Sequence, residues 1–325
     1  MEQQRPFNLC MAPLRGVTVR TFRVCFAKWF APTDRAIAPF IPTVAGERVK
    51  PLLLKDIDPA LPQGIPVIPQ VIGKDPEQLR VLLRAFKSLG YTVADLNAGC
   101  PWPFVAKKGR GSGLLKDADV LARMLAVGCE EMPGGFSLKV RLGLTHPHLL
   151  RTRMELINQF PLREVAIHAR TAQQMYAGTV LLDDFAEALE LCAHPVVYNG
   201  DIFTRADFLQ LQRRFPTVNR WMLGRGLAMD PFLVEQLGAG TATLPRDMQR
   251  LSGFLEDYLQ ACEAELFGPV SVLGRMKELW GYLKFGFVHG DRIWNGVKIC
   301  RTLDEYKRII ASIPFEREPF AGYRR

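Results

Sequence analysis

DPEQLRVLLRAFKSLGYTVADLNAGC, residues 75–100, contains one helix followed by one strand, and it sets the reading of the whole chain. Asp75 before Pro76 suits a helix start, apolar residues then recur at helical spacing, and Gly90 suits a stop. The run YTVADL that follows ends on Asn97, and Cys100 sits between a glycine and a proline. A core strand would continue through apolar residues, whereas this one breaks where a ligand could lie. Most free cysteines are small buried hydrophobes. Cys100 therefore counts as chemistry only through its surroundings.

Outward from this unit, eight short apolar stretches recur, each followed by a helix-like span. They are LCMAPL (9–14), RAIAPFI (35–41), PVIPQVIG (66–73), TVADLNAGC (92–100), FSLKVRLG (136–143), EVAIHAR (164–170), PVVYNGD (195–201) and RWMLGRG (220–226). ADVLARMLAVG and TRADFLQLQRRF are amphipathic in the manner of 75–90. Strands alternating with helices imply parallel pairing, and eight such units close into a (β/α)8 TIM barrel. A doubly wound open sheet is the rival. It explains less, because polar residues end nearly every strand: Gln70, Asn97, Cys100, Lys139, Arg141, His168, Arg170, Asn199, Asp201 and Arg225. A barrel brings those ends together on one face, where such folds carry their chemistry.

After about residue 243 the strand signal stops, and RDMQRLSGFLEDYLQACEAELFG, VLGRMKELWGYLKFGF and LDEYKRIIASI read as helices. The expected organisation is therefore a barrel over 1–243 and a small all-helical domain over 244–325. TATLPRD (241–247) would link them, and PFEREPFAGYRR would form an irregular tail.

Composition narrows the function classes. The chain has 325 residues, is 48% hydrophobic, and lacks a run near the length of a membrane span. Its start, MEQQRPFN, is not laid out as a secretory signal. The seven cysteines (10, 25, 100, 129, 192, 262, 300) form no CxxC pair, which argues against a disulfide frame or a zinc cage and for a reducing cytoplasm. No metal is expected. The net charge of +9 is uneven: residues 1–115 hold 16 Lys+Arg against 8 Asp+Glu, and 270–325 hold 11 against 6. Two basic regions flanking a neutral middle suit a polyanion such as RNA, although a merely solvated basic surface has the same composition.

Individual residues carry more. NGD (199–201) and GRG (224–226) end the seventh and eighth strands, where barrels often hold a phosphate on glycine-opened backbone, and Arg225 adds a charged donor. Lys139 and His168 could stabilise negative charge on a reduced flavin or a substrate carbonyl. Arg170, two residues past His168, shares its face. Gln70 and Asn97 can both donate to and accept from an amide-rich heterocycle. Ala12-Pro13-Leu14 is small and apolar, fit to lie against a flat ring. KKGRGSG (107–113) lacks the Gly-Lys-Ser/Thr of a P-loop and reads instead as a mobile lid carrying Lys107, Lys108 and Arg110.

Taken together, LNAGCPWP with the following GRGSGLLKD, SLKVRLG, IHART, YNGDI and LGRG resemble the tRNA-dihydrouridine synthase family in order and spacing. GRMKELWGYL resembles that family's helical RNA-binding domain, nearest the bacterial branch that modifies uridine 16. The resemblance implies an FMN-bearing barrel, reduced by NADPH, that hydrogenates the C5–C6 double bond of tRNA uridines. It implies FMN held by Ala12, Pro13, Leu14, Gln70, Lys139, His168, Asn199, Gly200, Asp201, Gly224 and Arg225, with Cys100 as proton donor. Asn97, Arg141 and Tyr176 would face the target nucleotide, Arg170 and the basic loop would assist, and Arg275 and Lys277 would grip RNA. A monomer acting on tRNA, with no membrane, is the implied working form.

The chemistry is self-consistent. Hydride from flavin N5 adds at C6, charge develops as an enolate, and C5 is protonated from the opposite face. A thiol of ordinary pKa, about 8.5, stays mostly protonated near neutrality and can donate. The base must leave its stack to be reached. Four positions depart from the family pattern: Leu14 for Met, Val19 for Asp, Pro39 at a Thr-Glu site, and Trp102 for Ser. They set the second-strand loop and the lid apart. Two other classes remain open on sequence: a flavoenzyme of this barrel type reducing a free pyrimidine or enone, and a non-catalytic RNA-binding paralogue.

Overall fold

The computed structural model describes residues 6–239, 244–315, 320 and 322. Ten strand segments, all parallel, form one sheet: β1 (Asn8–Met11), β2 (Arg35–Ile37), β3 (Ile41–Pro42), β4 (Val67–Ile68), β5 (Gln70–Ile72), β6 (Ala94–Ala98), β7 (Phe136–Gly143), β8 (Glu164–Thr171), β9 (Val196–Asn199) and β10 (Arg220–Leu223). Their order is β3-β5-β6-β7-β8-β9-β10-β1-β2-β4. Pro69, which has no N–H to give a ladder, separates β4 from β5, so these are two halves of one strand. Ala38-Pro39-Phe40 divide the stretch 35–42 in the same way. Because β2 pairs with β4 and β3 with β5, the two ends of the sheet meet. Counted as whole strands there are eight, and the ring closes as a TIM barrel.

The helices between strands follow the local signals. α1 (Arg20–Trp29) and α2 (Pro51–Leu54) precede α3 (Pro76–Ser88), whose N-cap Asp75 accepts from the Gln78 N–H at 3.0 Å. Next come α4 (Pro103–Ala106) and α5 (Ala118–Glu131). α5 continues past Gly128, whose missing side chain makes room for the Phe136 ring; a Cβ there would lie 1.9 Å from it. α6 (His148–Asn158), α7 (Leu182–Leu191) and α8 (Arg205–Arg214) complete the outer ring, the last opened by a Thr204–Asp207 capping box. α9 (Arg225–Met229) and α10 (Leu233–Gly238) follow the eighth strand.

Among the described residues beyond 244, the regular elements are helices: α11 (Met248–Glu265), α12 (Pro269–Leu283), α13 (Gly290–Ile299) and α14 (Leu303–Ala311). The periodicity does not announce α13, because two glycines interrupt its apolar stripe. Residues 241–243 of the expected linker and most of the expected tail lie outside the described residues. α11 packs directly on α1 through Phe22–Phe254 (5.8 Å) and Phe30–Phe254 (5.2 Å). Gly253 lets the Trp29 ring approach to where a Cβ would meet it at 2.3 Å. The helical region thus shares one apolar cluster with the barrel's outer layer.

Alternation along each strand fills the barrel interior in layers. At the floor, buried Glu164 accepts from Arg35 Nη2 at 2.8 and 2.7 Å and from Arg220 Nη1 at 3.1 Å. An apolar layer of Cys10, Ile37, Ile68, Ala166, Val197 and Met222 sits inside the ring. Above it the inward residues become polar, and the barrel opens.

Candidate functional site

A cavity at the carboxyl ends of the strands holds about 960 Å³ of free space, counting the solvent at its mouth. Ala12, Pro13 and Leu14, just past β1, form one wall beside Met222 and Gly224. A Cβ on Gly224 would stand 3.4 Å from the Ala12 Cβ, so the glycine keeps this wall flat. Asn97, Cys100, Lys139, Arg141, His168, Tyr176, Asn199, Gly200, Asp201 and Arg225 complete the lining already anticipated from sequence.

Several anticipated residues serve other atoms. Gln70 is buried beneath the cavity: its Nε2 donates to Asp95 at 2.7 Å and its Oε1 accepts from Asn97 Nδ2 at 2.8 Å. Arg170 forms a bidentate pair with Asp201 (2.8 and 2.6 Å) and donates to the Gly178 carbonyl at 2.6 Å, away from the cavity. Arg225 shares the same carboxylate at 2.7 Å and lies 4.7 Å from the Tyr176 ring centre. Asp201 thereby holds a backbone φ of 39°, in the left-handed region uncommon for a residue with a side chain. Lys277 Nζ donates to the Lys298 carbonyl (3.0 Å) and the Cys300 carbonyl (2.5 Å), satisfying acceptors at the end of α13. Arg275 is half-buried on α12, facing Tyr258 and Cys262 of α11.

The basic loop is two structures. Lys107 and Lys108 are exposed and Arg110 is half-buried, as a lid requires. Gly111–Leu115, however, are buried and begin a 3-10 helix, so the second half of the expected lid is part of the core. Gly111 explains the fixation. It has φ 56°, and a Cβ there would lie 2.8 Å from the Cys100 Cβ and 2.9 Å from its carbonyl oxygen. Ser112 N–H also donates to that carbonyl at 3.1 Å. Gly111→Ala should therefore cost about 1–3 kcal/mol through the forced φ and the contact. Urea unfolding checks this, and an unchanged midpoint would refute it.

Cys100 is positioned by a chain of buried amides. Asn97 Oδ1 accepts from the backbone N–H groups of Gly99 (3.1 Å) and Cys100 (2.8 Å), and its amide is held by Gln70 and, through that, Asp95. Burial pushes the Cys100 thiol above its ordinary value, against the pull of a Trp102 backbone hydrogen bond and the nearby Arg141, Arg15 and Lys139 charges. The thiol is protonated at neutral pH. Lys139 donates to Asn199 Oδ1 at 3.0 Å, and burial with the adjacent Arg141 charge lowers its pKa to about 8. Burial beside Arg141 and Lys139 drives His168 well below its ordinary value, leaving the imidazole neutral. Arg141 is oriented by the carbonyls of Gly99 (3.0 Å), Thr171 (2.8 Å) and Met175 (2.7 Å).

Sequence reading passed over Arg15, Phe40 and Phe203, which line the cavity together with Trp102, noted there only as a departure from the family pattern. Arg15 directly follows the first strand's APL wall, a position that could have flagged it. Phe40 lies in the break of the second strand, which no periodicity reveals. α12 reaches the mouth as well: Tyr282 lies close enough to Tyr176, Glu278 and Arg225 for their charges to act on its phenol. The site thus combines a flat apolar wall, a protonated thiol, one titratable ammonium, a neutral imidazole and fixed guanidinium groups. That donor set fits a planar, electron-accepting ring system with an anionic tail.

A family model described as dihydrouridine synthase (Dus) matches residues 10–284. The tRNA-dihydrouridine(16) synthase of Neisseria meningitidis serogroup B is 23% identical, the alignment spanning 98% of this chain and 97% of that protein. The tRNA-dihydrouridine synthase B of Xanthomonas campestris pv. campestris is 27% identical over 94% and 95%. Among solved structures, the old yellow enzyme from Trypanosoma cruzi (TM-score 0.54, 11% identity, 77% of this chain and 94% of that one) and morphinone reductase (0.52, 12%, 75% and 89%) share the barrel fold.

Proposed function

The chain belongs to the dihydrouridine synthase family, and we propose that it reduces the C5–C6 double bond of a tRNA uridine with FMN as resident cofactor, NADPH as reductant and Cys100 as proton donor. The observation that carries this reading is Cys100 itself: a thiol kept protonated by burial, opening into the cavity that Lys139, Asn199 and His168 also line. When bound, the flavin would supply the hydride.

The chain's own residues would do the rest. Ala12, Pro13, Leu14 and Gly224 offer the flat wall, Lys139 and Asn199 offer polar contacts to a ring edge, and the neutral His168 can donate or accept. Arg225 and the backbone of Gly200 and Asp201 would face the phosphate. Gln70 would act mainly by holding Asn97 and hence Cys100. Asn97, Arg141 and Tyr176 would orient the uracil, with the fixed Arg141 charge stabilising negative charge that develops on its carbonyl. Cys100 would deliver its proton to C5. Residues 244–325 would serve as the tRNA-binding domain beside a catalytic unit over 1–243, with α12 reaching the cavity mouth through Tyr282. Among the described residues no helix is long and apolar enough to cross a membrane.

The reading is tested by mapping dihydrouridine by mass spectrometry in tRNA from cells with and without the gene, and by assaying purified protein with NADPH on unmodified tRNA and on free uridine. Loss of one dihydrouridine on deletion supports it. An unchanged map, or turnover of free uridine matching that of tRNA, refutes it.

Lys139 sets a pH dependence. Its ammonium is present below about pH 8 and lost above it. Turnover at saturating NADPH should therefore fall as pH rises through that region. In Lys139→Arg the alkaline limb should move upward, because a guanidinium does not titrate there. A wild-type profile flat to pH 10 would remove Lys139 from this role.

A further inference from the structure

Two large aromatic side chains stand in solvent just past Cys100, one of them at the cavity. Trp102 is 60% exposed and lines the cavity, and Phe104 is 73% exposed. Trp102 lies between Pro101 and Pro103, with φ −54° and ψ 121°, the extended conformation that a following proline favours. Its carbonyl accepts from the N–H groups of Val105 and Ala106, both at 2.9 Å, so the one-turn helix α4 fixes the backbone on which the indole sits. Lys108 Nζ lies 4.2 Å from the Phe104 ring centre, a cation–π contact that places a positive charge beside the rings. Residues 96–116 contain no acid.

We propose that Trp102 and Phe104 form a stacking platform for unpaired tRNA bases flanking the uridine in the cavity, with Lys107 and Lys108 on the adjacent phosphates. This rests on the function proposed above. Extruding one base leaves its neighbours with exposed ring faces. A rigid aromatic ring at the rim can cover such a face with little ordering cost, and stacking is tolerant of base identity. The uniform positive charge favours a polyanion over an apolar protein partner, for which exposed lysines would be a desolvation cost. Trp102 borders the same cavity as Cys100, so one RNA segment can meet both.

The experiment measures binding of an unmodified tRNA transcript to flavin-loaded wild type, Trp102→Ala, Phe104→Ala, Trp102→Phe and Lys108→Ala over a salt series. Trp102→Ala should weaken binding on the order of tenfold or more, Phe104→Ala less, and Trp102→Phe should restore most of the loss. Stacking involves no counterion release, so the slope of log Kd against log salt should stay at the wild-type value in Trp102→Ala. In Lys108→Ala it should fall by about 0.7–0.9. Flavin content and thermal midpoint, read on each variant, should match wild type. Wild-type affinity in Trp102→Ala, lost flavin in that variant, or a reduced salt slope in that variant would each overturn the platform. If wild-type protein forms no dihydrouridine in tRNA, the proposed function falls and the platform with it. If wild type does form it while Trp102→Ala binds equally well, the platform alone falls.

Discussion

Replacing Cys100 by alanine should lower turnover on tRNA by about 10²- to 10⁴-fold, the usual contribution of a positioned general acid. The protein should remain yellow, and the oxidation of NADPH in the absence of tRNA should proceed at the wild-type rate. That split is the informative part, since a merely structural cysteine would affect both half-reactions or neither. The thiol has the required properties: burial keeps it protonated, while Arg141, Arg15 and Lys139 hold its pKa from rising further. A proton leaving it is thus drawn by the substrate's developing charge, and the thiolate that remains faces three cations. Cys100→Ser should recover little, because a hydroxyl of the same geometry is a far weaker acid. Single-turnover assays with pre-reduced enzyme read the step directly. If Cys100→Ala reduces tRNA at the wild-type rate, the proton comes from elsewhere and the proposed mechanism fails.

The strands, their parallel order and the face on which they open were legible because two-residue parity and polar strand ends are local properties. Parity puts Arg170 on the face of His168, yet of the two only His168 lines the cavity, together with Lys139 and Arg141. It could not tell which inward groups remain available to a ligand. Arg170 is bound by Asp201 from the next strand, and Gln70 by Asp95 and Asn97. Those pairings depend on register between strands, which a single chain does not reveal. Lys277 illustrates the same limit on a helix: a basic residue in a basic region reads as an RNA contact, yet it satisfies the end of α13, a helix the periodicity did not disclose. The stretch 35–41 reads as one strand, but it divides at Ala38-Pro39-Phe40, and neither that break nor the placement of Phe40 against the cavity is a local property of the apolar run. Gly111 could have been recognised only as a flexible residue. Its function is the opposite, since its missing Cβ lets the chain lock against Cys100.

Glu164→Ala should be the most destabilising single change at the closed end of the barrel, lowering unfolding free energy by about 3–5 kcal/mol. Glu164 is almost fully buried and accepts two hydrogen bonds from Arg35 and one from Arg220. It lies on the same inward face as His168 but four residues earlier, at the opposite end of the strand from the cavity. Removing its carboxylate leaves Arg35, whose side chain is 16% exposed, without its counter-charge inside the ring, whereas Arg220, 30% exposed, keeps some contact with water. Glu164→Gln should cost less, because an amide oxygen still accepts from one arginine while its NH2 must face the other. The triple change Glu164→Leu with Arg35→Met and Arg220→Met separates the two sources of loss. If the cost lies in stranded charge, the triple variant should be more stable than Glu164→Ala alone, since an apolar floor needs no counterion. If the triple variant is less stable than the single one, the arginines support the strands by packing, and the ionic account of the floor is wrong. Urea unfolding followed by tryptophan fluorescence distinguishes the cases, because Trp221 follows Arg220 on the same strand and is fully buried in the native state.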